Sequence, residues 1–301
     1  MGQFQPSDAV AVLYHPAVRG AEEVAATLGR QATDRGLYAC VETLPELADE
    51  LPESLKDVGL FVCVGGDGTV LHASSFAARA GIPVFGVRMG RLGFLTESTQ
   101  ERAADDFVRV LDGNARLEER ALVQARVGES GEALHALNDV VIGRATLGRT
   151  VSVVAQVDSV TLAEYRADAL VISTATGSTG YALSVGGPIL HPESKEMVLV
   201  PVAPHLTRAN ALVLPSTTTL RLTVQRSFEA MMSVDGVHHR QLESGTVVEI
   251  TRSPRTVSFV RLGGEHEFYN SLASRLGWLR ADHVIDEMGS HLDGASDTTE
   301  G

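Results

Sequence analysis

The first third of the chain alternates short apolar runs with helical segments, and this alternation is the strongest constraint on its fold. Three apolar runs are typical of buried strands, and around them apolar residues recur at the three- and four-residue spacing of a helix. Strands that alternate with helices predict a parallel sheet with helices on both faces. The predicted strands are AVAVLY (residues 9–14), GLFVCV (59–64) and PVFGV (83–87), and the predicted helices cover residues 19–35, 70–80 and 101–111. The last helix is predicted to bury a face made of Ala104, Phe107, Val108 and Leu111.

The pattern changes after Asn114, where short β-branched runs separated by turn residues replace the helical spacing. Such runs predict a strand-dominated domain. We therefore predict an α/β domain over residues 1–115 and a β-rich domain over residues 116–266. Helical spacing returns near Leu272, so residues 267–285 are predicted to join the first domain, and the polar residues 286–301 are predicted to be a disordered tail.

Composition excludes several classes of protein. The 25 basic and 38 acidic residues give a formal net charge of −13, which argues against non-specific binding of nucleic acid. Cys40 and Cys63 form neither a disulfide framework nor a zinc spacing, as is usual in a reducing cytoplasm. The first ten residues, MGQFQPSDAV, lack the features of a signal peptide, and no apolar segment is long enough to span a bilayer. We therefore expect a soluble cytoplasmic protein with no membrane partner.

A glycine-rich turn, GGDGT, follows the second predicted strand and precedes the second helix. Ligands of open α/β sheets bind at this edge, and glycines there let a phosphate approach the backbone. The turn is not a dinucleotide fingerprint, because Leu71 occupies the place of the third glycine, and it lacks the lysine of a P-loop. Asp67 would repel a bare phosphate, so it fits a site where it faces an attacking hydroxyl or a metal ion on the phosphate. The alternative is that Asp67 only caps the helix that begins near Val70.

Two further segments carry polar groups in apolar surroundings. The segment STATGSTGYALSVGGPILHP (residues 173–192) is dense in hydroxyls and glycines, and Thr176 excludes the G-x-S-x-G turn of a hydrolase. A glycine-rich surface turn is the simpler alternative for it. In ALNDVVIG, Asn138 and Asp139 are predicted to interrupt an apolar strand, where a polar pair needs partners such as ribose hydroxyls.

Together these motifs resemble the bacterial NAD kinases. The strings GGDGT, LGFLTE, LNDV, TGSTGYALSVGGPI and PVAPH occur in that family's order and approximate spacing over residues 9–280. The resemblance implies an α/β N-terminal domain and a β-rich C-terminal domain with the active site in the cleft between them. It also implies transfer of a phosphoryl group from ATP or polyphosphate to the 2′-hydroxyl of the adenosine ribose of NAD, which makes NADP. The donor would carry Mg²⁺ or another divalent cation, held mainly by phosphates and water because no cage of carboxylates is visible.

The resemblance also assigns roles to individual residues. Asp67 is the catalytic residue implied, and it would hold the reacting hydroxyl of NAD. The donor phosphates would lie against Gly65, Gly66, Gly68 and Thr69. The implied NAD-binding residues are Asn138, Asp139, Asp168, Thr179, Gly180, Tyr181, Ser184, Ala203 and Asp235. A homodimer or homotetramer joined through the β-rich domain is also implied.

Three residues depart from the family pattern. Arg88 stands in place of an asparagine, Gly180 in place of an alanine, and Asn210 where an arginine is frequent. Arg88 is predicted either to bind donor phosphates, compensating for Asn210, or to be a solvated surface residue. Two other functions remain open from the residues alone. One is a lipid kinase, since that class also carries GGDGT, and the other is a dinucleotide-binding sensor without catalysis.

Overall fold

The computed structural model describes residues 8–44, 52–90, 93–128, 131–146, 148–205, 210–225, 230–264 and 266–278. The elements of the first part are β1 (Ala9–Tyr14), α1 (Ala21–Asp34), β2 (Tyr38–Thr43), β3 (Phe61–Gly65), α2 (Asp67–Ala80), β4 (Val84–Arg88), β5 (Ser98–Thr99) and α3 (Ala103–Leu111). The three predicted strands and three predicted helices are confirmed. Strand β2 was not predicted, because none of its residues is fully buried. The predicted tail lies outside the described residues.

The strands of this part form the parallel sheet that the alternation predicts. Its order is β2-β1-β3-β4, and every one of these pairs is parallel. Alternate residues of each strand face opposite sides, as the two-residue period of a strand requires. Val62 packs with α1 and α3 on one face, whereas Phe61 and Cys63 pack with α2 on the other. Cys63 is thus a core residue, as expected.

The predicted buried face of α3 is confirmed at Phe107 and Leu111 and differs by about one residue at its other two positions. The buried side chains are Ala103, Asp106, Phe107, Val110 and Leu111, while Ala104 and Val108 are only partly buried. Asp106 was missed because a carboxylate is rarely buried without partners. Here it accepts hydrogen bonds from Ser98 Oγ at 2.8 Å and from Arg102 Nη2 at 3.1 Å, which offset the loss of water.

The second part is rich in strands, as predicted. Its elements are β6 (Arg116–Val127), β7 (Leu134–Ala136), β8 (Asp139–Arg144), β9 (Val151–Val157), β10 (Val160–Ala167), β11 (Ala169–Ser173), α4 (Tyr181–Ser184), β12 (Met197–Val202), β13 (Leu212–Leu214), β14 (Leu220–Val224), β15 (Ala230–Val234), β16 (His238–Leu242) and β17 (Val247–Arg261). One sheet has the order β13-β12-β11-β8-β15-β16. Its inner face packs against β9, β14 and β17 around a core that includes Ile142, Leu170, Leu222 and Ile250.

Strand β17 joins the two parts. It pairs antiparallel with β6 and β14 and parallel with β4, where Phe259 lies opposite Val84. The parallel sheet therefore continues through β17 into β14, β9 and β10 as a single sheet of 11 strands. The predicted domain boundary near residue 115 stays a prediction, since one sheet contains strands from both sides of it.

The chain from Gly263 onward forms a separate compact unit. It contains α5 (Glu267–Leu276), which confirms the predicted helix and ends at Gly277 with a φ of 63°. The predicted packing of residues 267–285 on the first domain stays a prediction. None of the helices in the described ranges is long and apolar enough to cross a membrane.

Candidate active site

The GGDGT turn is the start of α2 rather than a loop before it. Helix α2 begins at Asp67, three residues earlier than predicted, because the Gly66 carbonyl accepts the N–H groups of Thr69 and Val70. Gly66 and Gly68 are exposed, and a Cβ at either position would meet no atom within 4 Å. The backbone at the positive end of α2 is thus open to an anion.

The two outer residues of the turn pack against each other. A Cβ at Gly65 would lie 2.2 Å from Thr69 Oγ1, so only glycine fits beneath that side chain. Thr69 is buried with 5% exposure, which limits the contact that its hydroxyl makes with a donor phosphate. Arg88 lies opposite Gly65 in the register of β3 and β4 and is half-buried.

Asp67 does not cap its own helix. Its Oδ2 accepts the N–H of Phe94 at 2.6 Å and its Oδ1 accepts the N–H of Leu95 at 3.2 Å. No side-chain cap is present at the start of α2, so the capping alternative is wrong. Each carboxylate oxygen has two lone pairs, and both retain capacity for another donor.

Gly93 packs directly against the carboxylate of Asp67. A Cβ at position 93 would lie 1.8 Å from Asp67 Oδ1, a distance that no real contact allows. Residues 93–95 therefore supply a glycine for close approach and two amides for the carboxylate. Asp67 is held on one side by backbone and lies beside the exposed glycines on the other.

A second turn is organised by another aspartate. Asp235 accepts the N–H groups of Leu137 and Asn138, each at 2.8 Å, and that of Asp139 at 3.2 Å. These bonds end β7 at Ala136 and begin β8 at Asp139, so Asn138 lies in a turn and not inside a strand as predicted. Asp235 itself has a φ of 51°, in the left-handed region. The carboxylate of Asp235 thus binds the backbone of residues 137–139, and its predicted contact with NAD stays a prediction.

The hydroxyl-rich segment docks on this turn. Thr174 N–H donates to the Asn138 carbonyl at 2.9 Å, and a Cβ at Gly177 would lie 2.1 Å from the same oxygen. Residues 173–178 are buried, so the surface-turn alternative is wrong for this half of the segment. Within the described residues the side-chain amide of Asn138 makes no hydrogen bond, which leaves it available to a ligand.

Helix α4 presents the next predicted residues to solvent. Gly180, Tyr181 and Ser184 are exposed, and Thr179 is half-buried. The helix is anchored by Ala182, which packs against Val171 and Val198 on the outer face of the second sheet. With 42% of its surface exposed, Tyr181 offers an aromatic face for stacking on a base.

Two predicted residues lie apart from the rest. Asp168 precedes β11 and pairs with Arg144 Nη2 at 2.8 Å, while Ser173, at the other end of β11, lies opposite Asp139. The five intervening steps of a strand span about 16 Å. Ala203, with a φ of 46°, follows Val202, whose carbonyl accepts Asp168 N–H. The structure thus groups Asp168 with Ala203 and not with Asn138 and Asp139.

The segments that carry the two turns contribute residues to one hydrophobic cluster. Val70 of α2, Leu95 beside Asp67 and Leu137 beside Asn138 all belong to that cluster. A cavity of about 180 Å³ between α2 and β7 also reaches Leu137 and Asp235. The cluster brings the segments that carry Asp67 and Asn138 into one region.

The pKa of Asp139 is raised well above that of an ordinary aspartate. The residue is 8% exposed, and burial, followed by the charge of Asp235, raises the pKa of Asp139 to about 7. Burial also raises the pKa of Asp235, against the three N–H donors that lower it. Two neighbouring carboxyl groups in a poorly solvated site cannot both be charged cheaply. A ligand hydroxyl that donates to Asp139 would therefore relieve an existing electrostatic cost.

Sequence reasoning missed a group of buried charges next to these turns. Glu118, Arg120 and Arg261 are each less than 8% exposed and interact with one another. The available signal was the string RLEER, which places residues 116, 118 and 120 on one face of a strand. We call the set Glu97, Arg116, Glu118, Arg120 and Arg261 the Glu118 cluster.

Most of the chain is similar to known proteins. Residues 20–115 match the family model of the ATP-NAD kinase N-terminal domain, and residues 137–262 match that of the ATP-NAD kinase C-terminal domain. The chain is 36% identical over 270 residues to an NAD kinase of Chloroflexus aurantiacus, which covers 89% of this chain and 98% of that protein.

Two solved structures share the fold. One is a yeast NADH kinase complexed with NADH, with a TM-score of 0.78 and 20% identity, covering 98% of this chain and 91% of the other. The second is an NAD kinase from Archaeoglobus fulgidus in complex with ATP, with a TM-score of 0.70 and 24% identity, covering 87% and 96% of the two chains. At these identities the likeness supports the fold class that was predicted.

Gly93→Ala is expected to destabilise the protein, because its Cβ overlaps the Asp67 carboxylate. Overpacking of this kind costs about 1–3 kcal/mol, and calorimetric unfolding should show a lowered Tm. Gly68→Ala is the matched control, since its Cβ enters open space within a helix. An equal loss of stability in both variants would contradict the close approach of Gly93 to Asp67.

Asp139 should make folding depend on pH between about 4 and 7. Because the pKa of Asp139 is about 7 when folded and about 3.9 for a free aspartate, the folded state binds a proton more tightly. The stability of the ligand-free protein therefore falls as pH rises through this window. Asp139→Asn should remove that part of the dependence, so its Tm relative to the unaltered protein should rise from pH 5 to pH 8. Asp168→Asn is the control, because it removes the same charge from the residue that precedes β11. Equal behaviour of the two variants would contradict the assignment.

Proposed function

This chain belongs to the NAD kinase family, and we propose that it makes NADP with Asp67 acting on the 2′-hydroxyl of NAD. Membership makes it a phosphotransferase that uses NAD as the acceptor. The observation that supports the role of Asp67 is its position at the positive end of α2, held by two amides and next to two exposed glycines. Such a carboxylate is pre-oriented beside a site for donor phosphates.

The donor phosphates would lie over the start of α2. The first N–H groups of a helix have no partner within the helix, and the macrodipole adds to their attraction for an anion. Gly66 and Gly68 leave the backbone accessible to a phosphate, since neither residue carries a Cβ. Gly65 and Thr69 support the turn from beneath and contribute shape more than contact.

Asp67 would hold and then deprotonate the ribose hydroxyl. The O2′ oxygen attacks the terminal phosphorus of the donor, the bond from that phosphorus to its bridging oxygen breaks, and the shortened donor leaves. In a loose transition state the hydroxyl proton becomes acidic only late, so Asp67 first accepts a hydrogen bond and takes the proton as the O–P bond forms. The fixed amides of Phe94 and Leu95 keep the carboxylate in place during both stages.

Magnesium fits this site as a companion of the donor. Within the described residues, no three His, Cys, Asp or Glu side chains come together to hold a metal ion. Mg²⁺ prefers phosphate oxygens and water with one or two carboxylates, so donor phosphates with Asp67 nearby are a compatible set. When bound, the ion would neutralise charge that develops on the phosphate oxygens.

NAD would bind across the second turn and α4. The free amide of Asn138 and the carboxyl of Asp139 are suited to ribose hydroxyls, and exposed Tyr181 is suited to stack on a ring. Thr179, Gly180 and Ser184 lie on the same short segment, where Gly180 leaves the backbone open. Asp235 serves this site by shaping the turn.

Asp168 and Ala203 lie too far from Asn138 of the same chain to contact the same ribose. An oligomer, as the family resemblance implies, would let a second copy supply them. Sedimentation velocity on the purified protein tests this proposal, and a monomer would contradict it. The free cysteines Cys40 and Cys63 support a reducing cytoplasmic location.

The alternatives are separable. Both matching family models are ATP-NAD kinase domains, which removes the lipid-kinase alternative. A sensor without catalysis would form no NADP when the purified protein is given NAD, ATP and Mg²⁺. Replacing ATP by polyphosphate in the same assay would identify the donor.

Asp67→Asn should retain NAD affinity within a few-fold while turnover falls by about 10²–10⁴, the usual effect of losing a general base. NADP formation measures turnover, and calorimetry measures NAD affinity. Asp158→Asn is a control for charge, because Asp158 instead accepts the N–H of Thr219 in a turn. Near-normal turnover of the Asp67 variant would reduce Asp67 to a structural residue.

Arg88→Ala should raise the KM for the donor far more than the KM for NAD, because Arg88 ends β4 level with Gly65. Arg88 is also near Glu101, whose pKa is lowered first by a hydrogen bond from Thr99 and last by the charge of Arg88. The defect should shrink when a shorter, less charged polyphosphate replaces a longer one. Equal changes in both KM values, or none, would make Arg88 a solvated surface residue.

A further inference from the structure

The Glu118 cluster places charge where a sheet normally has apolar residues. Glu118, Arg120 and Arg261 are 5%, 4% and 7% exposed, and residues of these types are almost never buried unless paired. Both guanidinium groups lie over the Phe259 ring, with their central carbons 5.4 and 5.2 Å from its centroid. The cluster thus lies where β6 and β17 pair, next to the apolar contact between the two parts of the chain.

One carboxylate binds three arginines. Glu118 Oε1 accepts Arg120 Nε at 2.9 Å and Arg261 Nε at 3.0 Å, and Oε2 accepts Arg116 Nη2 at 3.2 Å. Burial by itself would raise the pKa of Glu118, but Arg261 and Arg120 outweigh it and lower that pKa to about 2. Burial lowers the pKa of Arg120 to about 10. Glu118 and Arg120 are therefore both charged at neutral pH.

The remaining donors of the two arginines reach segments that lie outside the strands. Arg261 Nη1 donates to the Leu95 carbonyl at 3.3 Å and to Glu97 Oε2 at 3.1 Å. Glu97 Oε1 in turn accepts the N–H of Leu262 at 2.7 Å. Arg120 Nη1 donates to Thr176 Oγ1 at 3.0 Å. One arginine holds the segment whose amides bind Asp67, and the other holds the segment that docks on Asn138.

Stability alone is a poor explanation for this cluster. A buried ion-pair group is often no more stabilising than apolar side chains of the same volume, because desolvation offsets the attraction. Apolar side chains could not, however, direct a carbonyl or a hydroxyl in an irregular segment. The guanidinium group can, since its donors have fixed directions in one plane.

We propose that Arg261 is a positioning residue for phosphoryl transfer, which acts by fixing the Leu95–Glu97 backbone and through it the amides that orient Asp67. Arg120 does the same for the Thr176 segment and so for NAD. The inference rests on the proposed function, because it assigns Asp67 the role given above. A displacement of about 1 Å at a reacting group costs about 100-fold in rate.

The test compares Arg261→Lys with Thr176→Val. Arg261→Lys should lower kcat by about 10- to 100-fold and leave the KM for NAD within about 3-fold, since only the Asp67 side is disturbed. Thr176→Val should raise the KM for NAD by about 5-fold or more, the loss expected for one hydrogen bond, with kcat little changed. Arg221→Lys is the matched control, because Arg221 pairs with Glu249 on β14 and β17 away from both segments.

A double-mutant cycle separates positioning from general damage. If Arg261 acts through Asp67, Arg261→Lys should lower kcat by less than about 2-fold in the Asp67→Asn background, because coupled residues are not additive. The same fold loss in both backgrounds would overturn the proposal, and so would an unchanged kcat in the single variant.

Hydrogen exchange tests the same inference without activity. Arg261→Lys should speed exchange at residues 93–97 and not at residues 174–179, and Thr176→Val should do the reverse. Faster exchange over the whole chain would overturn the proposal, and so would an unchanged exchange rate at residues 93–97. If Arg261→Lys does not fold, Glu97→Gln replaces it and is judged by the same outcomes. Absence of NADP from the unaltered protein would refute the proposed function, and the exchange pattern would still decide whether Arg261 holds its segment.

Discussion

The pairing of β17 with both β4 and β6 is the contact on which the rest of the structure depends. Phe259 lies opposite Val84 in a parallel pair and opposite Glu118 in an antiparallel pair. The same side chain packs into the cluster beneath α2 and lies under two guanidinium groups. One strand therefore sets the distance between the helix that carries Asp67 and the turn that carries Asn138.

The two turns at the site are built by the same physical means. In each, an aspartate carboxylate satisfies backbone N–H groups that no strand or helix can satisfy: Asp67 at residues 94–95 and Asp235 at residues 137–139. In each case a glycine allows close approach: Gly93 beside Asp67, and Gly177 of the segment that docks on Asn138. Irregular backbone becomes rigid in this way without regular secondary structure.

The sequence predicted the fold class and most elements because apolar spacing is a local property. It also predicted the segments that carry the candidate site, since glycine and hydroxyl groups in apolar surroundings are recognisable from the sequence alone. It failed where a partner is distant along the chain. The bonds of Asp235 to residues 137–139 were not foreseen because they span nearly 100 positions, and Arg261 was missed because it pairs with Glu118 across 143 positions. The contact of Asp235 with NAD stays a prediction. The start of α2 was placed too late because glycine is a poor helix former, and here the site overrides that propensity.

The approach of Gly93 to Asp67 links two positions that lie 26 residues apart. A longer acid at position 67 would need the space that a side chain at position 93 would also need, and the backbone amides fix where the carboxylate must end. Neither residue can therefore change alone without moving the other. Positions 67 and 93 should therefore vary together among related sequences. A change at either position would indicate that the chemistry itself has changed.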